Sequence, residues 1–122
     1  MRALAKRILV ADDDAILISM MKFNLEKKGY TLIAARDGEE ALKKARRLKP
    51  DLVILDVMMP KLDGDQVAAM LRSGPTTKNI PIFMLTSLIP EKGTRSVPME
   101  NAFCKPVDFE KLFLKIKRVL GE

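Results

Sequence analysis

Short apolar runs rich in β-branched residues alternate along this chain with stretches in which apolar residues recur at helical spacing. The three clearest runs cover residues 8–11, 52–55 and 81–85. Runs of this length between helical patterns are typical of strands in a parallel sheet that is buried on both faces. Each helical crossover must return to start the next parallel strand, and it does so with a right-handed turn. The chain is therefore predicted to be a three-layer α/β domain.

Weaker signals complete the alternation to about five strands. Residues 31–35 and 102–104 are predicted as the second and fifth strands, and Asp37 with Glu40 forms a capping box that opens a helix over 38–49. The last stretch, 109–120, has a strongly amphipathic helical pattern. Five strands in this length favour a flavodoxin-like, doubly wound parallel sheet of order 2-1-3-4-5.

One segment departs from the alternation. Residues 87–101, where a fourth crossover helix would lie, contain Pro90, Gly93 and Pro98 and have no helical apolar period. A proline inside a helix costs about 3 kcal/mol. The fourth helix is therefore predicted to be short or missing.

Polar residues follow three of the strands at the point where each strand ends. Asp12, Asp13 and Asp14 follow the first, Asp56 ends the third, and Thr86 ends the fourth. The carboxyl ends of parallel strands meet at one edge of the sheet, where ligands of open sheets bind. One acid, Asp13 or Asp14, suffices as a helix cap. The remaining carboxylates predict a hard divalent metal at this edge, Mg²⁺ first and Mn²⁺ as the alternative.

The length and composition limit the domain count and exclude several kinds of metal site and catalytic site. At 122 residues the chain is predicted to be one domain over 1–122, with no output domain. It has no histidine and one cysteine, Cys104, which excludes an internal disulfide, a His- or Cys-based zinc site and a Ser-His or Cys-His catalytic pair. No apolar run is long enough to span a membrane, and residues 1–7 are too charged for a signal peptide. A cytoplasmic location is expected.

The net charge of +6 suggests either an acidic partner or a nucleic acid. The densest basic run, residues 43–49, ends a predicted helix, where the helix dipole favours positive charge. No surface that interleaves basic and aromatic residues is visible, so nucleic-acid binding is not expected. Basic helices would instead speed the encounter with an acidic partner surface.

Asp56, opposite two more carboxylates and a metal, is a candidate nucleophile. A carboxylate can attack phosphorus and form an aspartyl phosphate, in a transfer that depends mostly on positioning and charge neutralisation. Thr86 offers a hydroxyl to a phosphoryl oxygen, and a cis Lys105–Pro106 bond would direct the Lys105 ammonium over the same edge. Taken alone, Thr86 would be interpreted as a residue that makes an ordinary hydrogen bond at a strand end, and Lys105 as a surface lysine. Because the topology places both at the same edge as the aspartates, a role in phosphoryl transfer is favoured.

The polar motifs, taken together and in this order, resemble the receiver domain of two-component response regulators, a CheY-like fold. The resemblance covers nearly the whole chain and is carried by residues 10–14, 55–60, 63–64, 85–87 and 105–106. It implies a phosphorylation switch in which a sensor histidine kinase or a phosphotransfer protein phosphorylates Asp56. A downstream effector would then respond to the phosphorylated domain.

The resemblance also implies roles for individual residues. Mg²⁺ would be bound by Asp12, Asp13, Asp56 and the backbone carbonyl of Met58. Lys105 would contact the phosphoryl group, and Thr86 would shift toward it as the switch. The domain would catalyse its own phosphotransfer and autodephosphorylation, which differs from the work of a conventional metabolic enzyme.

The chain departs from the receiver pattern at the position three residues before Lys105. Receivers usually carry an aromatic switch residue there, whereas this chain has Ala102. Phe103 is the next residue, and strand alternation predicts that it faces the other side of the sheet. A coupled movement of Thr86 and an aromatic side chain is therefore not expected.

Two alternatives of other classes remain open at this stage. A degenerate receiver would serve as a phosphorylation-independent binding module, which the unusual segment 87–101 favours. An Asp-nucleophile phosphohydrolase of the haloacid-dehalogenase type would use the Asp12-x-Asp14 motif. The threonine expected two positions after Asp14 in that family is Ile16 here, which argues against this alternative.

Overall fold

The computed structural model describes residues 4–87 and 97–122, and these residues form a five-stranded parallel sheet. The strands are β1 (Arg7–Ala11), β2 (Thr31–Ala35), β3 (Leu52–Asp56), β4 (Ile82–Thr86) and β5 (Ala102–Cys104). Their order across the sheet is β2-β1-β3-β4-β5, and every neighbouring pair is parallel. The predicted doubly wound order 2-1-3-4-5 is confirmed.

Among the described residues, three α-helices each connect one strand to the next and a fourth follows the last strand; together they cover both faces of the sheet. They are α1 (Ala15–Lys27), α2 (Gly38–Leu48), α3 (Gly64–Ser73) and α4 (Phe109–Leu120). Each begins with an aspartate cap whose side chain accepts backbone N–H groups of the first turn: Asp14, Asp37, Asp63 and Asp108. An aspartate is well suited to this position because it satisfies unpaired amides and complements the positive end of the helix dipole.

The predicted capping box at the start of α2 is only half formed. The Asp37 side chain accepts the Glu40 amide at 2.8 Å, but the Glu40 carboxylate pairs with Lys44 at 2.9 Å. The reciprocal box forms at the start of α3 instead, where Asp63 and Gln66 exchange both hydrogen bonds. A lysine one turn along the helix competes for Glu40, whereas Gln66 carries no charge to draw it away.

The sheet divides the core into two layers, because successive strand residues point to opposite faces. One layer lies against α2 and α3 and contains Leu9, Val53 and Met84. The other lies against α1 and α4, and the predicted apolar face of α4 packs into it. β3 is buried along its whole length, as expected for the central strand of a covered parallel sheet.

The two residues at the start of β5 face opposite layers, as the strand alternation predicts. Ala102 packs against the α2–α3 layer, whereas Phe103 packs in the α1–α4 layer with its ring centroid 5.2 Å from that of Phe83. Phe103 is therefore a core residue on the other side of the sheet from Ala102.

The predicted irregular segment 87–101 lies largely outside the described residues, which exclude 88–96. Of the part that is described, Met99–Asn101 forms one 3₁₀ turn directly before β5. The Asn101 amide donates to the Pro98 carbonyl at 2.9 Å. Within residues 4–87 and 97–122, no helix has the length and apolar character needed to cross a bilayer.

Candidate functional site

The register of β1 and β3 brings three aspartates together at the carboxyl edge of the sheet. Ala11 pairs with Leu55, so Asp12 and Asp56 follow on neighbouring strands. Asp12, Asp13 and Asp56 each offer an oxygen within 4.8 Å of the others. Asp12 is 1% exposed and Asp56 5% exposed, whereas Asp13 is open to solvent. The carboxylates that the sequence predicted to gather here do so.

Asp14, the third consecutive aspartate, caps a helix. Asp14 Oδ1 accepts the amides of Ile16 and Leu17 at 2.9 and 3.3 Å, so this residue caps α1. Asp12 Oδ1 in turn accepts the Asp14 amide at 2.9 Å. Of the two capping candidates, Asp14 is the cap, which leaves Asp13 available at the acidic edge.

Lys105 supplies a positive charge to the buried pair of carboxylates. It follows β5, and the Lys105–Pro106 peptide bond is cis. Its ammonium lies 2.8 Å from Asp12 Oδ2 and 3.3 Å from Asp56 Oδ2. The side chain is 22% exposed, whereas those of Asp12 and Asp56 are 0% and 7% exposed, so Lys105 is the most accessible of the three.

Thr86 is the last residue of β4 and pairs in register with Cys104. It is half-buried, and its backbone oxygen accepts the Lys105 amide at 2.7 Å. Thr86 and Lys105 are thus joined through the main chain at the same edge as the aspartates. The role of the Thr86 hydroxyl toward a phosphoryl group stays a prediction.

Burial and like charge act together on Asp56. Burial raises the pKa of Asp56, and the nearby Asp12 charge raises it further, against the opposing effect of Lys105. For Lys105, burial lowers the pKa, but the hydrogen bond to Asp12 and the charges of both aspartates outweigh that effect and raise it overall. The site is therefore short of positive charge, and a cation that entered it would be stabilised.

This imbalance predicts that Asp56→Asn stabilises the fold at neutral pH when divalent metal is absent. Because folding raises the pKa of Asp56, the native state loses stability as the pH rises through that pKa, and the deficit persists above it. The variant should be more stable than the wild type at neutral pH, and the gain should vanish below the ordinary aspartate pKa. Urea unfolding in a chelator at several pH values measures it. Equal stability of the two proteins at neutral pH would contradict the prediction.

The loop after Asp56 holds the orientation of its carboxylate. The Met58 amide donates to Asp56 Oδ1 at 3.2 Å, and the Met58 side chain is exposed. At the start of the loop, Val57 donates to Leu85 and accepts from Gly64, both at 2.9 Å. A Cβ on Gly64 would lie 2.5 Å from the Asp56 carbonyl oxygen. Gly64 therefore allows α3 to begin against the acceptor strand, while the Met58 carbonyl as a metal ligand stays a prediction.

The sequence analysis missed the support that α2 gives to this loop. The Gly38 amide donates to the Pro60 carbonyl, and a Cβ on Gly38 would lie 2.0 Å from the Leu62 oxygen. Lys61 has a positive φ of 71°, and its ammonium lies 3.5 Å from Asp37 Oδ2. From the sequence, Asp37 and Gly38 could be interpreted only as the start of a helix. Their contacts with the loop could not be predicted, because that loop lies more than twenty residues further along the chain.

The donor set suits a hard divalent cation. Three carboxylates, two of them buried and one exposed, converge with oxygens at metal-sharing distances. Oxygen ligands of this kind favour Mg²⁺ or Mn²⁺ over softer metals. The residues present therefore fit a divalent ion of the Mg²⁺ type.

Comparison with known proteins agrees with this architecture. Residues 8–117 match the family described as the response regulator receiver domain. The chain therefore belongs to the response regulator receiver domain family. Among solved structures, the chemotaxis response regulator CheY4 of Vibrio cholerae superposes with a TM-score of 0.85 at 30% identity, covering 94% of this chain and 98% of that one. A response regulator from Chloroflexus aurantiacus also has a TM-score of 0.85, at 30% identity, with 97% and 99% covered.

Longer relatives match this chain over only a part of their own length. The alkaline phosphatase synthesis transcriptional regulatory protein PhoP of Bacillus subtilis is 52% identical over 82 residues, which are 67% of this chain and 33% of PhoP. The response regulator PleD of Caulobacter vibrioides is 36% identical over 118 residues, 93% of this chain and 26% of PleD. The chain thus spans about a quarter to a third of these two relatives, and the likeness concerns the receiver domain.

Proposed function

We propose that this chain is a phosphorylation switch that accepts a phosphoryl group on Asp56 from a sensor histidine kinase or a phosphotransfer protein. A carboxylate oxygen of Asp56 attacks the phosphorus, a P–O bond forms, and the P–N bond to the donor imidazole breaks with its electron pair left on nitrogen. The observation that carries this proposal is the Asp12–Asp56–Lys105 cluster: an oriented carboxylate at a strand end, with the ammonium 3.3 Å from it.

Lys105 and the Met58 amide have different roles at Asp56. The amide holds Oδ1 at 3.2 Å, which fixes the plane of the carboxylate. The ammonium reaches both Asp12 and Asp56, so it can move its contact from a carboxylate to an incoming phosphoryl oxygen without leaving the site. Preorganised positive charge of this kind lowers the barrier because it needs no rearrangement when charge develops.

Asp12, Asp13, Asp56 and the Met58 carbonyl would hold Mg²⁺, with Mn²⁺ as an alternative. When bound, the ion would neutralise negative charge on the carboxylates and the phosphoryl oxygens. The Lys105 ammonium lies 2.8 Å from Asp12 and 3.3 Å from Asp56, so it would give up its contact with Asp12 if the ion were bound there and would turn to the phosphoryl oxygens. Thr86, joined to Lys105 through the main chain, would turn its hydroxyl toward the phosphoryl group as the switch.

An exposed apolar stripe beside the site would receive the donor protein. Ile16, Met20 and Phe23 follow at helical spacing on α1 and are 73%, 48% and 68% exposed. A groove of about 230 Å³ runs from this stripe to the Lys105–Pro106 segment. An apolar surface that reaches the acceptor site is suited to hold a partner helix while its histidine faces Asp56.

The experiment is intact-protein mass after incubation with a small acyl phosphate, with Mg²⁺ or with a chelator. We expect one hydroxylamine-labile phosphoryl adduct that requires Mg²⁺ and is absent from Asp56→Asn. The double variant Ile16→Ser/Phe23→Ser should retain uptake from the small donor and lose it from a protein donor, since only the latter needs the apolar stripe.

The competing functions give different outcomes in the same experiment. Absence of any adduct, with Mg²⁺ binding shown by titration, would overturn the switch and support a phosphorylation-independent binding module. Multiple-turnover hydrolysis of a phosphate monoester that depends on Asp12 rather than Asp56 would support the phosphohydrolase.

A further inference from the structure

The four helices all carry positive charge at the same end of the molecule. Because the strands are parallel, each helix runs back from the carboxyl edge of the sheet to its amino edge, and every last turn lies at the amino edge. The basic residues in these last turns are Lys27, Arg46, Arg47, Arg72, Lys117 and Arg118. All six are exposed.

Basic residues in the adjoining loops extend this surface. Lys6 precedes β1, Lys28 and Lys49 follow α1 and α2, and Lys78 precedes β4; all four are exposed. Several contacts join neighbouring members: the Thr31 amide donates to the Lys6 carbonyl at 2.9 Å, the Arg72 guanidinium donates to the Lys78 carbonyl at 3.1 Å, and Lys28 and Lys117 line one groove. We call these six helix-end residues and four loop lysines the amino-end face.

The charges of the amino-end face are not neutralised by neighbouring acids. Within residues 4–87 and 97–122, none of its lysines or arginines forms an ion pair; the ion pairs formed there involve lysines at positions 43, 44, 61 and 105. Of the acids near this edge, Asp51 accepts the Arg7 amide and Glu122 accepts the Tyr30 hydroxyl. These two carboxylates keep their charge, and with Glu26 and Glu100 they make four acids against the ten basic residues, so the face has a net positive charge.

Helix dipoles explain only part of this charge. One cation near each helix end gains up to about 1 kcal/mol, whereas α2 and α4 each carry two in the last turn, and the loop lysines lie outside the helices. Unpaired like charges crowded on one face repel one another and reduce the stability of the compact state. A polyanion bound to the face would neutralise this concentrated positive charge and remove the repulsion.

We propose that the amino-end face binds the phosphate backbone of a nucleic-acid duplex without sequence specificity. Among the described residues, the exposed large apolar side chains at or beside this edge are Leu4, Met70, Phe23 and Leu114, and the ten basic residues of the face outnumber them. Lysine and arginine, rather than large apolar anchors, therefore make up most of the face. Backbone phosphates need only lysine and arginine. The aromatic rings beside the face, Phe23 and Phe113, lie against Lys27 and Lys28. Contact with the phosphates of a duplex does not require aromatic residues, whereas binding of unpaired bases depends on stacking.

The face lies opposite the acidic edge that holds Asp56. Acidic caps and first-turn acids gather at the carboxyl edge, and the basic ends at the other, so the molecule is electrically polarised. A duplex on the amino-end face would leave the phosphoryl-acceptor edge open to a donor. The two activities are therefore predicted to be independent.

The test compares two double variants by fluorescence anisotropy with a labelled DNA duplex of about 20 base pairs. Arg46→Glu/Arg118→Glu reverses two charges of the face. Lys43→Glu/Lys111→Glu makes the same change in net charge on the same two helices, at the middle of α2, where Lys43 pairs with Glu39, and in the first turn of α4. We expect a dissociation constant of about 10⁻⁴–10⁻⁶ M that weakens steeply with salt, a loss of roughly 10-fold or more in the first variant, and little change in the second.

Each other outcome overturns the proposal. Equal weakening by both variants would mean that only the net charge matters, and no binding at about 50 mM salt would mean that the face is simply solvated. Tighter binding to poly-glutamate than to the duplex would assign the face to an acidic protein instead. If charge reversal unfolds the first variant, Arg46→Gln/Arg118→Gln gives the same comparison against Lys43→Gln/Lys111→Gln.

Discussion

Lys105→Met is expected to slow phosphoryl uptake from a small acyl phosphate by about 10²–10³-fold. The ammonium lies 2.8 Å from Asp12 and 3.3 Å from Asp56, and methionine keeps most of the stem while it removes the charge. The same change should leave Mg²⁺ affinity equal or higher, because the lysine competes with the ion for these carboxylates. Initial rates by intact mass and Mg²⁺ titration by calorimetry measure the two effects.

The opposite movement of rate and affinity separates a role in transfer from a loss of structure. A damaged site would lower both quantities together. Lys111→Met, on the exposed first turn of α4, removes the same charge away from the cluster and should change neither. A Lys105→Met protein that takes up phosphoryl groups at the wild-type rate would remove Lys105 from the mechanism.

Gly38→Ala is expected to lower the uptake rate by up to about 100-fold, because displacement of a reacting group by 1 Å can cost that much. A Cβ at this position would lie 2.0 Å from the Leu62 carbonyl oxygen, which is backbone and cannot rotate away. The loop must therefore shift. Its first residues are fixed by Leu85 and Gly64, so the shift falls on the segment that carries the Met58 amide. Mg²⁺ affinity and uptake rate should fall together.

A second variant in the same helix controls for stability. Ala45→Gly lies two turns further along α2 and costs about 1 kcal/mol or more through helix propensity and lost packing. If Gly38 positions the loop, Ala45→Gly should lose comparable stability in urea unfolding but keep its uptake rate. An equal loss of uptake rate in both variants would mean that Gly38 contributes only to the stability of the fold and does not position the loop.

The elements of the fold were predictable because their patterns are local. The buried strands read as apolar runs, and the face of α4 that packs into the core reads as a 3.6-residue period. The one hand of the crossovers gave the three-layer class, and five strands in this length favoured the order 2-1-3-4-5. The capping box was misplaced because two equivalent Asp-x-x-acceptor patterns exist, at 37–40 and 63–66, and only the neighbourhood of Lys44 decides between them.

The candidate site was predictable in its residues but not in its support. Asp12, Asp13, Asp56 and Lys105 stand at strand ends, so topology alone brings them to one edge. The contact of Gly38 with Leu62 could not be predicted, because it depends on how closely the first turn of α2 approaches a distant loop. The amino-end face was visible only in part, because the basic run 43–49 holds three of its ten residues and the other seven are scattered along the sequence.

The sequence by itself determined the parallel α/β architecture, the acidic edge and the identity of the groups that meet there. These depend on periodicity and on the rule that parallel strands end together, and both can be read from residue order. Only the tertiary structure decided which aspartate caps α1, which residues hold the loop after Asp56, and where the excess positive charge accumulates. Those features depend on distances between segments that are far apart in the chain, and packing sets these distances.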